Sequence, residues 1–240
     1  MGLCTAWLLL ERGHPVNVYS KSLPPETTSN IAGGLWAPTH VGSAEISLHE
    51  LLLRESWHYF RSLPAAEFGV DIVPLFETFD RSHPLDPIPP DLVPPAKERP
   101  RLPFPGRHGP CLESRTLLIE TPRFLSRLVE GIQARGGRFI AGEVKSKEAL
   151  LSLPETVFVN CLGLAAREFA QDPALRPIRG QLVLLEPAPK PFIIDHAQGY
   201  IISRHDLLVL GGTFEEGEEC CDPHDATCRE ILDKNRNLFL

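Results

Sequence analysis

The chain has 240 residues, with 24 Lys plus Arg against 31 Asp plus Glu and a formal net charge of −7. A composition 42% hydrophobic and 23% charged is that of a globular chain and not of a disordered one, and the length suffices for one large or two small cores. The acidic balance, with no basic run, argues against a nucleic-acid backbone as partner.

Residues 1–14, MGLCTAWLLLERGH, read as an apolar helix starting at Met1 with Gly13 at its stop. No basic region precedes the apolar run and Glu11 and Arg12 follow it at once, so a buried helix is expected in place of a secretory signal or a membrane span. Ala6 stands where a myristoylation signal wants Ser or Thr. The next stretch, Val16 to Trp36, VNVYSKSLPPETTSNIAGGLW, joins a short buried-strand pattern to a polar turn and a double glycine. That combination suits a nucleotide cofactor lying across the carboxyl end of a sheet. Helix followed by strand is the second half of a dinucleotide-binding βαβ unit, so its first strand and leading glycines are expected upstream, with Gly2 as the last glycine of a G-x-G-x-x-G turn. Interrupting that turn predicts a weakened grip on the dinucleotide. Where such folds often carry Asp or Glu on the ribose this chain has Ser20, Lys21 and Ser22, which makes Lys21 a candidate point charge for the adenosine-phosphate side.

Farther along, Ser47 to Leu63 carries Leu48, Leu52, Tyr59 and Leu63 at helical spacing. A proline-dense, irregular stretch is expected from Phe76 to Pro110. There PIPPDLVPP reads either as a covering loop of a substrate domain, the favoured reading, or as a ligand for an SH3-type groove. Thr121-Pro122 opens an amphipathic helix with Phe124, Leu125, Leu128, Val129 and Ile132 inward and Gly136-Gly137 as its stop. Arg138 to Ile140 and Glu143 to Lys145 read as short strands, Lys147 to Leu151 as a helical turn, and Val157 to Cys161 as a strand of a parallel sheet buried on both faces. Gly163 follows as a turn residue with room for a ligand. Beyond it, Gln181 to Leu185, Pro191 to Ile194, Tyr200 to Ser203 and Leu207 to Leu210 predict an antiparallel sheet with turns at Glu186-Pro187 and Arg204-His205-Asp206.

The six cysteines show no framework spacing and the chain has no N-x-S/T acceptor, so reduced thiols are expected. Cys220, Cys221, His224 and Cys228 could attract a metal. Asp222-Pro223, however, reads as an N-cap and first helical position, which sets Cys228 apart on a helix, and no metal is assigned. There is no G-x-S-x-G elbow and no P-loop, and His49-Glu50 lacks the second His of H-E-x-x-H, so hydrolase chemistry loses ground.

Five segments in order carry a family resemblance: Thr27-Thr28-Ser29 with Ala32-Gly33-Gly34-Leu35-Trp36; Val157-Phe158-Val159-Asn160-Cys161-Leu162-Gly163; Arg179-Gly180-Gln181; Tyr200-Ile201-Ile202; and Leu210-Gly211-Gly212-Thr213-Phe214. Together they resemble the FAD-dependent D-amino-acid oxidase family, which includes D-aspartate oxidase. The resemblance implies an α/β (α+β) fold: a Rossmann-like FAD-binding domain, incomplete at its first strand, from residues 1–35 and 121–176, interleaved with an antiparallel β-rich substrate domain from 36–120 and 177–240. It implies FAD contacts from Gly2, Lys21, Thr27, Thr28, Ser29, Gly33, Gly34, Leu35, Val144 and Gly163, with Leu162 replacing a usual Thr. Tyr200 is implied to hydrogen-bond the substrate carboxylate, and a pairing Arg and a glycine-rich loop are implied after the L-G-G-x-F/Y strand, beyond Leu240. Arg204 is not promoted in place of that Arg, since it lies past the end of the Tyr200 strand. The implied reaction takes a D-amino acid to an imino acid, with hydride passed to FAD, oxygen giving hydrogen peroxide, and hydrolysis giving a keto acid and ammonia. Implied partners are a small D-amino acid and molecular oxygen, with no metal, nucleic acid or membrane and with a homodimer left open, in the cytoplasm or peroxisome. Two alternatives stand beside this reading: a non-catalytic remnant or interaction protein, and an amine oxidase acting on glycine or sarcosine.

Overall fold

A computed structural model describes residues 1–38, 46–79, 88–106 and 109–239. The helices are α1 Gly2–Glu11, α2 Thr28–Ile31, α3 Ile46–Ser62, α4 Ala65–Phe68, α5 Thr121–Ala134, α6 Lys147–Leu151, α7 Ala166–Ala170 and α8 Asp225–Arg236. The strands are β1 Asn17–Ser20, β2 Val70–Thr78, β3 Lys97–Arg99, β4 Cys111–Ile119, β5 Arg138–Ala141, β6 Ile178–Arg179, β7 Leu182–Leu185, β8 Phe192–His196, β9 Gly199–Ser203, β10 Leu208–Gly211 and β11 Glu215–Glu216. Among the described residues, no helix is long and apolar enough to cross a membrane.

Contacts divide the chain into two units, each built from non-contiguous segments. The first holds Met1–Ala32, Thr121–Arg179 and Glu215–Glu219. Its helix α1 buries Ala6 and Trp7. Helix α5 buries Phe124, Leu128, Gly131 and Ile132, the i, i+4, i+8 stripe its sequence predicts. Gly131 is where the two helices approach: a Cβ there would meet the Trp7 ring at 2.1 Å. The Arg135 guanidinium covers the same ring at 4.0 Å from its centroid. Strands β1 and β5 pair in parallel, Asn17 opposite Arg138 through Ser20 opposite Ala141. Glu215–Glu219 joins this unit through the β6–β11 ladder, where Arg179 Nε donates to Glu215 Oε2 at 2.9 Å.

Two expected strands of this unit are absent. Glu143 to Lys145 is irregular, and Val157 to Cys161 is not a strand; Val157 is 80% and Val159 56% exposed. A strand needs a ladder partner, and the β1–β5 pair does not extend to this apolar run.

The second unit holds Gly33–Glu120, Gly180–Phe214 and Cys220–Leu240. Its sheet has the order β3-β4-β2-β8-β9-β10-β7. The expected antiparallel strands β7 to β10 form, but the sheet as a whole is mixed, because β8 also runs parallel to β2, with Leu75 opposite Ile193. Phe76 therefore belongs to β2 and does not begin the irregular stretch, which is further interrupted by β3. Residues 80–87, 107 and 108 of that stretch lie outside the described residues. Pro74 is tolerated within β2 because β8 pairs only Leu75 to Glu77, so one side of the strand is open beside Pro74.

Alternation gives the sheet two apolar faces. One packs Val73, Leu75, Leu118, Ile193, Ile202 and Val209. The other packs Phe76, Leu102, Cys111, Ile194, Ile201 and Leu210 with Ile231 of α8. Each such burial contributes about 1.5–3 kcal/mol. Helix α3 forms as expected but turns a different face inward. Leu53 and Trp57 are buried while Leu48 and Leu52 are exposed, since Trp57 packs on Trp36 with ring centroids 5.0 Å apart. Helix α8 starts two residues later than Asp222-Pro223 suggested, with His224 at the N-cap.

Candidate functional site

In the first unit, Gly2 opens α1, whose first turn has neither a side-chain cap nor an acidic residue. Its N–H groups are thus available to an anion. Gly2 lies beside the 160–163 turn, since a Cβ on it would sit 3.4 Å from Cys161 Cβ. That turn is shaped by Asn160, whose Oδ1 accepts the Leu162 N–H at 3.0 Å. Gly163 then takes φ +58, with no heavy atom within 4 Å of the place a Cβ would occupy. Lys21 follows β1 as an exposed side chain 4.0 Å from Glu143 Oε1. The neighbouring Val144 is half-buried, and the Gly142 N–H donates to Ser20 O at 3.1 Å.

Thr27 caps α2 in extended backbone, and its hydroxyl donates to Asn30 Oδ1 at 2.7 Å. Thr28 and Ser29 are exposed on the first turn of this short helix. Asn30 is buried, and its Nδ2 has no hydrogen-bond partner. The Thr121 hydroxyl at the start of α5 holds the segment by donating to Asn30 O at 2.9 Å. This donor set fits FAD: uncapped amides for a pyrophosphate, exposed hydroxyls, and glycines that leave room for close approach.

Gly33, Gly34 and Leu35 begin the second unit as an extended run beside the end of β4. The Ile119 N–H donates to Gly34 O at 2.8 Å, and the Trp36 N–H to Leu117 O at 2.9 Å. Gly34 has φ +87, and a Cβ on it would lie 2.0 Å from Ile119 O, so the position admits glycine alone. A Cβ at Gly33 would meet Ile202 Cδ1 at 2.5 Å and Tyr200 Cε2 at 3.9 Å. Leu35 and Tyr200 pack on the same apolar face of the sheet. The structure thus brings Gly33, Leu35 and Tyr200 together within this unit.

The Tyr200 ring lies against Gly211 and Gly212, its register partner and the residue after it. Cβ atoms on those glycines would fall 2.5 and 3.1 Å from the phenol oxygen. Burial pushes the phenol pKa above its ordinary value, which keeps Tyr200 a protonated donor. Arg204 is fully buried and pairs within its own turn: Nε donates to Asp206 Oδ1 at 2.8 Å and Nη2 to Oδ2 at 2.9 Å. Among the described residues no group of His, Cys, Asp and Glu is placed to hold a metal ion.

Sequence reasoning missed three features. Asn30 is signalled only by its i, i+3 spacing from Thr27. Glu155 accepts from both Asn17 Nδ2 and the Tyr19 hydroxyl and ties β1 to residue 155; nothing local marks it. His196 and Asn235 meet behind the Tyr200 strand, 39 residues apart.

The family model described as FAD dependent oxidoreductase matches residues 1–239. The chain is 34% identical over 244 residues to a D-amino-acid oxidase of Rubrobacter xylanophilus, covering 96% of this chain and 72% of that protein. It is 32% identical over 246 residues to a D-amino-acid oxidase of Streptomyces coelicolor, covering 97% and 72%, and 28% identical over 235 residues to a human D-aspartate oxidase, covering 91% and 67%. Its fold is similar to that of a glycine oxidase from Bacillus cereus, with a TM-score of 0.70 at 16% identity over 98% of this chain and 76% of that one. An L-proline dehydrogenase from P. horikoshii gives the same TM-score at 13% identity, over 99% and 74%. With one family model matching nearly every residue and the D-amino-acid oxidases aligned over almost the whole chain, the protein belongs to the FAD-dependent oxidoreductase family.

Proposed function

We propose that the chain oxidises D-amino acids to imino acids, which water converts to a keto acid and ammonia while dioxygen becomes hydrogen peroxide. The chemistry supplied by bound FAD is acceptance of two electrons from the substrate and their delivery to oxygen. In this reading the first unit is the cofactor domain, where Gly2, Thr27, Thr28, Ser29 and Gly163 hold FAD, with Lys21 and Val144 on its adenosine side. Gly33, Gly34 and Leu35 share the assignment. The second unit is the substrate domain, where the Tyr200 hydroxyl donates to the substrate carboxylate and, from a half-dry position, orients it.

The observation that carries this reading is the Tyr200 phenol, kept protonated by burial and lying against Gly211 and Gly212, where a side chain would crowd its oxygen. Substrate handedness follows the names of the relatives. The test is Tyr200→Phe, assayed with FAD supplied. Losing a hydrogen bond to a charged group costs about 1.5–3 kcal/mol, or roughly tenfold to a hundredfold in kcat/KM. Flavin binding is expected to be unchanged. A variant with wild-type kcat and KM, or one whose sole defect is a lower melting temperature, rules the assignment out.

A further inference from the structure

We propose that Asn235, held by His196, is a positioning residue for Tyr200: it fixes from behind the Gly211–Gly212 shelf on which the phenol rests. This rests on the reading of Tyr200 given above. Asn235 lies on α8 and is 1% exposed; His196 ends β8 and is 7% exposed. The Asn235 Nδ2 donates to two carbonyl oxygens, Ile231 O at 2.8 Å within its own helix and Gly211 O at 3.3 Å on β10. Two carbonyl partners settle which end of the amide is nitrogen. Oδ1 is then the atom that meets His196 Nε2 at 3.0 Å. That ring nitrogen therefore carries a proton and donates, so His196 sets the plane of the Asn235 amide.

Gly211 is where this relay reaches the ligand side. It stands opposite Tyr200 in the β9–β10 ladder, as Gly199 stands opposite His196 across β8–β9. Gly211 O also approaches to 2.2 Å of where a Gly199 Cβ would lie, so a side chain at Gly199 is excluded and the carbonyl keeps its place. On the same residue, a Cβ would fall 2.0 Å from Tyr200 Cζ. The peptide that accepts from Asn235 thus belongs to the residue that supports the phenol ring. A shift of that carbonyl moves the floor under the hydroxyl without altering any group that touches substrate.

The test uses the full chain with FAD supplied and 3-fluorotyrosine in place of its three tyrosines, Tyr19, Tyr59 and Tyr200. Tyr200→Phe identifies the Tyr200 fluorine resonance. Asn235→Asp replaces the donor to Gly211 O with an acceptor. It is expected to move the Tyr200 resonance, leave those of Tyr19 and Tyr59 in place, and raise KM for a D-amino acid several-fold with kcat little changed. His196→Gln keeps an N–H for Asn235 Oδ1 and is expected to hold the Tyr200 resonance near its wild-type position. An unmoved Tyr200 resonance in Asn235→Asp overturns the proposal, as does movement of all three resonances together. Should Asn235→Asp fail to fold, His196→Leu, which removes the relay and adds no charge, carries the same expectation and the same contrary outcomes. If the resonance moves while neither Asn235→Asp nor Tyr200→Phe changes KM, the shelf is supported and the carboxylate reading of Tyr200 is the part that fails.

Discussion

The packing of Tyr200 on a glycine makes a chemical demand that can be read without turnover. Gly211 cannot carry a side chain while the ring is in place, since a Cβ would lie 2.0 Å from Tyr200 Cζ. Gly211→Ala is therefore expected to lift the phenol from its half-dry seat toward water. Burial is what pushes the Tyr200 pKa up, so exposure returns it toward the ordinary phenol value near 10. The ultraviolet phenolate titration of the variant is expected to shift to lower pH relative to wild type. The sign carries over to stability. A phenol whose pKa is raised by folding keeps more protons in the native state, so its contribution is full below about 10 and is lost as pH rises through the native value. Gly211→Ala should weaken that alkaline loss. An unchanged titration curve in a folded variant contradicts the packing described for Tyr200.

At the level of elements, β1 is held at its end as well as along its ladder. Glu155 accepts from Asn17 and Tyr19, and the Asn17 bond, with that of Tyr19, holds its carboxyl below the usual glutamate range. A depressed native pKa stabilises above the unfolded value near 4.3 and is lost as pH falls through the native one. Melting temperature measured down an acid series should fall more steeply for wild type than for Glu155→Gln, which keeps an acceptor oxygen but no ionisable group. Parallel acid profiles would remove Glu155 from the account.

How far these elements could be read in advance depends on whether their structure is local. Helix α5 was legible because Phe124, Leu128 and Ile132 repeat on one face and Gly136-Gly137 ends it. Strands β9 and β10 were legible because their alternation is carried within each run. Val157 to Cys161 is as apolar as a buried strand, yet strand structure depends on a neighbour to pair with. Strand β4 was hidden for the converse reason: Glu113, Ser114 and Arg115 blur its pattern, and nine register pairs with β2 supply what its own sequence does not. The Leu48 and Leu52 spacing gave a correct helix and a misleading face, because Trp36, far off in sequence, decides where Trp57 turns. The site divides the same way. Tyr200 and Gly33 to Leu35 were marked by ordered short segments, whereas Asn235 meets His196 and Gly211 only once α8 is packed on the sheet.

Across the whole molecule, the chain forms two units built from interleaved segments. The first offers open helix-end amides and exposed hydroxyls, the second a half-buried phenol donor on a glycine shelf. The proposal assigns FAD to residues of the first and orientation of a D-amino acid to Tyr200 of the second. For this measurement the cofactor is supplied in excess. The most direct measurement is the visible flavin absorbance of the chain with FAD under anaerobic conditions, followed on adding D-amino acids, their L-enantiomers, glycine and sarcosine. Bleaching by a D-amino acid, with none by its L-enantiomer and recovery of the band and formation of peroxide on admitting oxygen, is the predicted result. A flavin band that no D-amino acid bleaches contradicts the account, as does one bleached by glycine or sarcosine in preference.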